Sequence, residues 1–201
     1  MTPLVLIRHG ATQWNLDGRI QGRADPPLAP EGRAEVSAWR LPPDLADDPG
    51  FGDWVWLTSP LARARETAAL LHAAPVAVEP ALIEMDWGAW EGRRLAELRS
   101  EGGQDMAARE ARGLDFRPPG GETPREVRAR LRPLLERLEA AGRATIAVTH
   151  KGVIRALYTL ASGWDMTGRP PEKLRNACAH RFQLGPGGAP DTAQLNLSLA
   201  P

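Results

Sequence analysis

The sequence predicts a three-layer α/β/α sandwich with a mostly parallel central sheet and a C-terminal edge hairpin. Two observations carry this: short apolar runs of strand length, and amphipathic helical segments that begin directly at the carboxyl ends of those runs. Leu4 to Ile7 form the first run, apolar at every position as a strand covered on both faces requires, and Arg8 and His9 stand at its end. Trp54 to Leu57 form the second, ending at Thr58, Ser59 and Pro60, where Ser59 is placed to cap a helix and Pro60 to occupy its first turn. Leu61, Ala64, Ala68 and Leu71 continue at helical spacing.

Thr123, Pro124 and Glu126 make a capping box with proline at the first helical position. Val127, Leu131, Leu134, Leu135 and Leu138 extend it as an apolar stripe that Gly142 ends, with Pro133 expected to kink it. Thr145 to Val148 reads as a third buried strand, followed by Thr149, His150 and Lys151 and a helix over Gly152 to Leu160. His180 to Leu184 and Gln194 to Leu199 alternate apolar and polar residues around a Gly185 to Asp191 turn cluster, the pattern of the edge hairpin. Proline and glycine clusters at Leu41 to Gly52 and Arg117 to Gly121 read as surface loops within one domain spanning residues 1–201.

Lysine plus arginine equals aspartate plus glutamate at 25 each, so no overall field gathers nucleic acid or an anionic membrane, and any anion site must be local. Lysine occurs only at 151 and 173; the remaining cations are arginines, the better geometric match to phosphate or carboxylate. Cys178 stands alone, which excludes an internal disulfide and reads as a small buried apolar residue. With no apolar segment of about 20 residues and no basic leader before Leu4, the chain is expected to be soluble and cytoplasmic.

Three predicted strands end in chemistry-bearing residues: Arg8 with His9, Ser59 with Arg63 one turn later, and Thr149 with His150. In an open α/β sheet those ends face one crevice, and two histidines with two arginines around it make a phosphate pocket. The helix starts at Ser59 and near Lys151 add N–H donors and positive dipole ends. His72 and His180 belong to no such group and are read as solvated or structurally bonded.

Arg8-His9-Gly10-Ala11-Thr12-Gln13-Trp14-Asn15 resembles the first motif of the histidine phosphatase superfamily, which includes the cofactor-dependent phosphoglycerate mutases. Gln21, Gly22, Asp25, Leu28 and Gly32 resemble its next segment, and Ser59-Pro60-Leu61-Ala62-Arg63-Ala64 with Thr67 and Ala68 its second arginine motif. Leu82, Glu84, Gly88, Trp90, Glu91 and Gly92 look like its acidic loop, Pro119 to Thr123 the loop before its long helix, and Thr149-His150 with Gly152 its second histidine. The resemblance implies that His9 attacks phosphorus, that Arg8, Arg63 and His150 hold the phosphoryl oxygens, and that Glu84 protonates the leaving oxygen. Two guanidinium forks and an imidazolium supply the required charge without a metal or a cofactor. Met85, Trp87 and Trp90 are expected to wall Glu84 and raise its pKa. Asn15, Gln21 and Gly22 are the remaining candidate substrate contacts.

Three functions follow from that pocket. A phosphatase acting on a small phosphate ester is favoured over a mutase by the short Arg93 to Pro118 interval, by Pro60 where mutases usually carry aspartate, and by the Glu91-Gly92-Arg93 continuation. A catalytically silent phosphate-binding module is the third. Arg93, Arg94, Arg109, Arg112 and Arg117 are expected on a solvated helical face, contact of one or two of them with the substrate beyond its phosphate being the alternative. Ala11 replaces a rim glutamate or glutamine common in the family, and Ala29 a threonine cap. A homodimer paired through the C-terminal hairpin is compatible with the pattern.

Overall fold

The computed structural model describes residues 1–46 and 53–200. Six strands, β1 (Thr2–Arg8), β2 (Val55–Thr58), β3 (Ala77–Val78), β4 (Thr145–Thr149), β5 (Cys178–Gly185) and β6 (Ala189–Ser198), form one sheet in the order β3-β2-β4-β1-β5-β6. The first four run parallel, with Arg8 beside Thr149 and Thr58 beside Val148, so their carboxyl ends share one rim of the sheet. β5 returns antiparallel to β1 and β6 antiparallel to β5, completing the expected edge hairpin.

The apolar runs are covered on both faces because alternate residues feed different cores. Leu4, Leu6, Leu57 and Ala147 pack with α6 (Pro124–Ala141) and α7 (Lys151–Ser162). Val5, Ile7, Trp56, Ile146 and Val148 pack on the other face with α2 (Pro30–Ala38) and α4 (Ala62–Leu71). α1 (Gln13–Leu16) and α3 (Pro43–Ala46) are single turns, and α5 (Leu95–Glu110) is bent at Gly103. The loop expected over residues 41–52 lies partly outside the described residues, and its Pro43–Ala46 portion is α3.

Several local expectations hold. Thr123 and Glu126 form the capping box, Gly142 closes α6 in the left-handed conformation, and Ala29 starts α2 without a side-chain cap. Cys178 is buried and free. Others need correction. α6 continues as one helix through Pro133, which faces solvent on its exposed side. Its missing N–H is a bond lost on a face that water reaches. The hairpin turn is only Pro186–Gly188, tighter than the predicted Gly185 to Asp191, because Gly187 and Gly188 both take positive φ (+68° and +71°). Ser59 is not the cap of α4. That helix starts at Ala62, and its N–H is accepted by both Asp25 oxygens at 2.9 Å, a cap supplied from 37 residues away.

Candidate active site

Backbone hydrogen bonds between strand ends hold the motif residues in one place. His9 N–H donates to the Thr149 carbonyl at 3.0 Å and Ser59 N–H to the Val148 carbonyl at 2.9 Å. The acidic loop is tied to the same rim: the Thr149 hydroxyl donates to the Leu82 carbonyl at 2.8 Å. Arg130 of α6 clamps that loop from below, donating to the Ala81 and Ile83 carbonyls while its other bonds go to Glu122. Glu84 is thereby fixed two residues after Leu82.

His9 is 6% exposed, and its Nδ1 lies 2.7 Å from the Gly10 carbonyl. A carbonyl has no proton to give, so Nδ1 carries the ring hydrogen and Nε2 keeps a free lone pair. This is the tautomer-fixing partner that sequence reasoning could not name. Burial, and then the charges of Arg8 and Arg63, hold the His9 pKa well below its ordinary value, so the ring is neutral at pH 7.

His150 is fully buried, its ring centroid 5.1 Å from that of His9. Its Nε2 meets Ser59 Oγ at 2.7 Å, and Ser59 already accepts the Leu61 N–H at 3.3 Å. Ser59 can donate its proton to Nε2, and in that arrangement the ring hydrogen of a neutral His150 is on Nδ1. Burial, then His9, Arg63 and Arg8, push His150 well below its ordinary pKa. It is a neutral donor at pH 7, where the sequence led us to expect an imidazolium.

Arg63 is also fully buried. Its terminal nitrogens donate to the Gly22 and Ala24 carbonyls at 2.7 Å, and Asp25 lies 3.5 Å away. Gly22 must be glycine: φ is +57° and a Cβ would sit 1.9 Å from Glu91 Oε1. Glu91 in turn accepts the Arg23 and Ala24 N–H groups at 2.6 and 2.7 Å, so it builds the loop that holds Arg63. Arg8 is held at Nη1 by Asn176 Oδ1. After these bonds, Arg8 Nε, Arg63 Nε and His150 Nδ1 remain buried with no partner. Leaving such a donor unsatisfied costs about 1–3 kcal/mol each, and here three belong to residues whose charges act on His9 or whose ring packs at a tilt beside it.

Glu84 is 8% exposed. Its Oε1 accepts the Met85 N–H at 2.8 Å and its Oε2 the Gly152 N–H at 3.2 Å. Burial raises its pKa above the ordinary carboxylate value; the two N–H bonds and the Arg63 and Arg8 charges oppose that rise. Met85 and Trp87 line an adjoining apolar cleft, and Trp87 and Trp90 both pack on Phe116 at 5.7 Å between ring centres. A cleft of about 460 Å³ opens here, with Met85, Trp87, Leu95, Phe116, Arg99 and Arg155 among its walls.

Gln21 is buried beside Gly22, and its Oε1 accepts from Thr12 Oγ1 at 2.9 Å; Asn15 Oδ1 accepts the Thr12 N–H at 3.1 Å. Both carboxamide oxygens are thus committed and the NH₂ groups are left to donate. Asn15 is also the N3 residue of a capping box on α1. Arg94 and Arg117 are exposed and Arg93 is partly exposed, and they are engaged with Glu97, Glu126 and Glu101 respectively. Among the described residues no group of three or more His, Cys, Asp or Glu is placed to hold a metal, and no helix is long and apolar enough to cross a membrane.

The model of the histidine phosphatase superfamily, branch 1, matches residues 4–196. The chain belongs to this superfamily. A 2,3-bisphosphoglycerate-dependent phosphoglycerate mutase of Methylobacterium radiotolerans is 36% identical over 192 residues, covering 90% of this chain and 89% of the relative. Among solved structures, the mycobacterial glucosyl-3-phosphoglycerate phosphatase aligns over 100% of both chains with a TM-score of 0.75 at 27% identity. The Shigella flexneri alpha-ribazole phosphatase aligns over 99% of this chain and 98% of its own, with a TM-score of 0.75 at 29% identity. The superfamily member described here is therefore similar to mutases in sequence and to phosphatases in structure.

Proposed function

We propose that the protein is a phosphomonoesterase that hydrolyses a small phosphate ester through a phosphohistidine on His9. Three buried unpartnered donors, Arg8 Nε, Arg63 Nε and His150 Nδ1, match in number the three equatorial oxygens of a phosphoryl group in transfer. Neutral His9 supplies the Nε2 lone pair in line with the leaving oxygen. The P–O bond to the alcohol breaks as the P–N bond forms, and protonated Glu84 gives its proton to the departing oxygen. The resulting carboxylate then takes a proton from water as that water attacks phosphorus, breaking P–N and releasing inorganic phosphate. A phosphoryl group brings negative charge into a site where burial leaves His9 and His150 neutral, and each of the three donors is worth about 3–4 kcal/mol if it tightens in the transition state. The Asn15 and Gln21 amide groups, with the backbone at Gly22 shaping the rim, are the remaining contacts of the reading.

Hydrolysis is favoured over mutase action by the walls of the cleft. A mutase must retain a bisphosphorylated polyanion until it has been transferred back. Of the two cations lining the cleft, Arg99 is neutralised by Glu110 at 2.8 Å on the same wall, and most other walls are apolar. That is a poor seat for several negative charges. The test is to incubate the protein and its His9→Ala variant, without added metal, with phosphorylated metabolites including 3-phosphoglycerate plus 2,3-bisphosphoglycerate, following phosphate release and isomer interconversion together. Release that vanishes in the variant is the expected result. Interconversion outpacing release would move the protein to the mutases, and neither activity would leave a phosphate-binding module.

A further inference from the structure

We propose that the cleft beyond Glu84 is a leaving-group subsite for an alcohol carrying one anionic group on an apolar or aromatic frame, with Arg155 as the partner of that anion. The inference rests on the hydrolase reading for its orientation. In-line transfer places the nucleophile and the leaving oxygen on opposite sides of phosphorus, so the alcohol leaves on the side of the acid, Glu84, away from His9. The cleft begins at that point: Met85 and Gly152, whose N–H groups hold the two Glu84 oxygens, both line it. A leaving oxygen protonated by Glu84 has the rest of its alcohol in the cleft.

The chemistry of the walls selects what that alcohol is. Met85, Trp87, Leu95, Phe116 and Met166 give an apolar lining with aromatic faces, which gains from covering an apolar frame and offers little to a polyhydroxylated one. The polar contribution is uneven. Arg99 donates to Glu110 at 2.8 and 3.0 Å and is consumed by it. Arg155, on α7 one turn after Lys151, makes no hydrogen bond or ion pair among the described residues; its guanidinium carbon lies 5.1 Å from the centre of the Trp164 ring. Trp164 is itself fixed, its indole N–H donating to the Thr167 carbonyl at 3.0 Å. The half-buried guanidinium therefore lies over a ring face with its N–H fork unspent, and an unspent fork can take a carboxylate in two parallel bonds. Burial lowers its pKa, and the Glu84 charge opposes this.

The experiment reads binding and turnover separately. Calorimetry compares phenylphosphonate, 4-carboxyphenylphosphonate and 4-(aminomethyl)phenylphosphonate on the native protein, Arg155→Met and Arg155→Lys, and phosphate release is followed with the phosphate esters of the same phenols. The expected result is that the native protein binds the carboxylated ligand about tenfold tighter than the neutral one and the cationic one more weakly. Arg155→Met should bring the carboxylated and neutral ligands to within about threefold of each other, and Arg155→Lys should keep part of the preference. No carboxylate preference in the native protein overturns the proposal whatever the variants do, as does an equal loss for both ligands in a folded Arg155→Met. Carboxylate-selective binding without phosphate release would retain the subsite and sink the hydrolase reading. Release without selectivity would do the reverse.

Discussion

Replacing Gly152 by alanine isolates the role of Glu84 without removing it. Gly152 is the second residue of α7, and a Cβ built there would lie 2.4 Å from Glu84 Oε1, 3.2 Å from its carboxyl carbon and 3.3 Å from Met85 Cβ. Ordinary contact begins at 3.4 Å, so the carboxyl must retreat by 3.4 − 2.4 = 1.0 Å. The atom that yields is the end of a flexible side chain, so the fold is not strained, and alanine in a helix gains up to about 1 kcal/mol over glycine. A displacement of about 1 Å in a catalytic group costs about 10²-fold, or about 2.7 kcal/mol in barrier. The loss should fall on the step that needs a proton. With an alkyl phosphate, whose alkoxide is a poor leaving group, kcat for Gly152→Ala drops about 100-fold; with p-nitrophenyl phosphate it drops less than about tenfold, because that phenolate leaves unaided. The variant remains cooperatively folded, the helix gain offsetting part of the cost of loosening the Met85 and Gly152 N–H bonds to the carboxyl. Equal losses on both substrates, or none, would refute the assignment of Glu84 as the acid.

Two further substitutions probe the buried histidines. Ser59→Ala removes the hydroxyl that faces His150 Nε2, leaving a fully buried nitrogen without its partner. Stability should fall by about 1–3 kcal/mol and kcat/KM by about 10- to 100-fold, with the His150 ring proton redistributing between its nitrogens in ¹⁵N spectra; an unchanged tautomer would show that Ser59 does not set it. His180 is almost fully buried, accepts the Asn196 N–H at 3.3 Å and is lowered from 6.5 to about 4, burial being the main cause. A base depressed in the folded state resists protonation, so its contribution is whole above pH 6.5 and is lost as the pH falls from 6.5 toward 4. Urea unfolding at pH 7 and pH 4.5 should show the native protein losing about 2–3 kcal/mol more than His180→Gln over that interval. Parallel losses in both proteins would mean that His180 titrates near its ordinary value.

The sheet and the rim of strand ends are legible because both obey local rules. A short, uninterrupted apolar run such as Leu4 to Ile7 fits a strand covered on both faces, and parallel strands present their carboxyl ends to a common crevice, so the sequence order alone brings Arg8, His9, Ser59 and His150 to one rim. What was not legible is long-range. Nothing near Ala62 reveals that Asp25 caps α4, and Ser59 satisfies every local rule for a cap while its hydroxyl is taken by His150. Arg130 reads as a polar position between Val127 and Leu131 on an amphipathic helix, yet it clamps the acidic loop. Arg155 is equally ordinary in sequence, an arginine on α7; only its lack of an ion-pair partner among the described residues and the Trp164 ring it lies over distinguish it. His180 was read as solvated or bonded, and the sheet shows it bonded and buried.

The most direct test of the phosphoenzyme is to trap it. The protein is mixed with a ³²P-labelled substrate, quenched in alkali within milliseconds and digested, and the labelled peptide is sequenced. The account predicts label on the peptide containing His9, stable to base, labile to acid and absent in His9→Ala. Turnover with no such label, or label on His150 or a serine in its place, would contradict it.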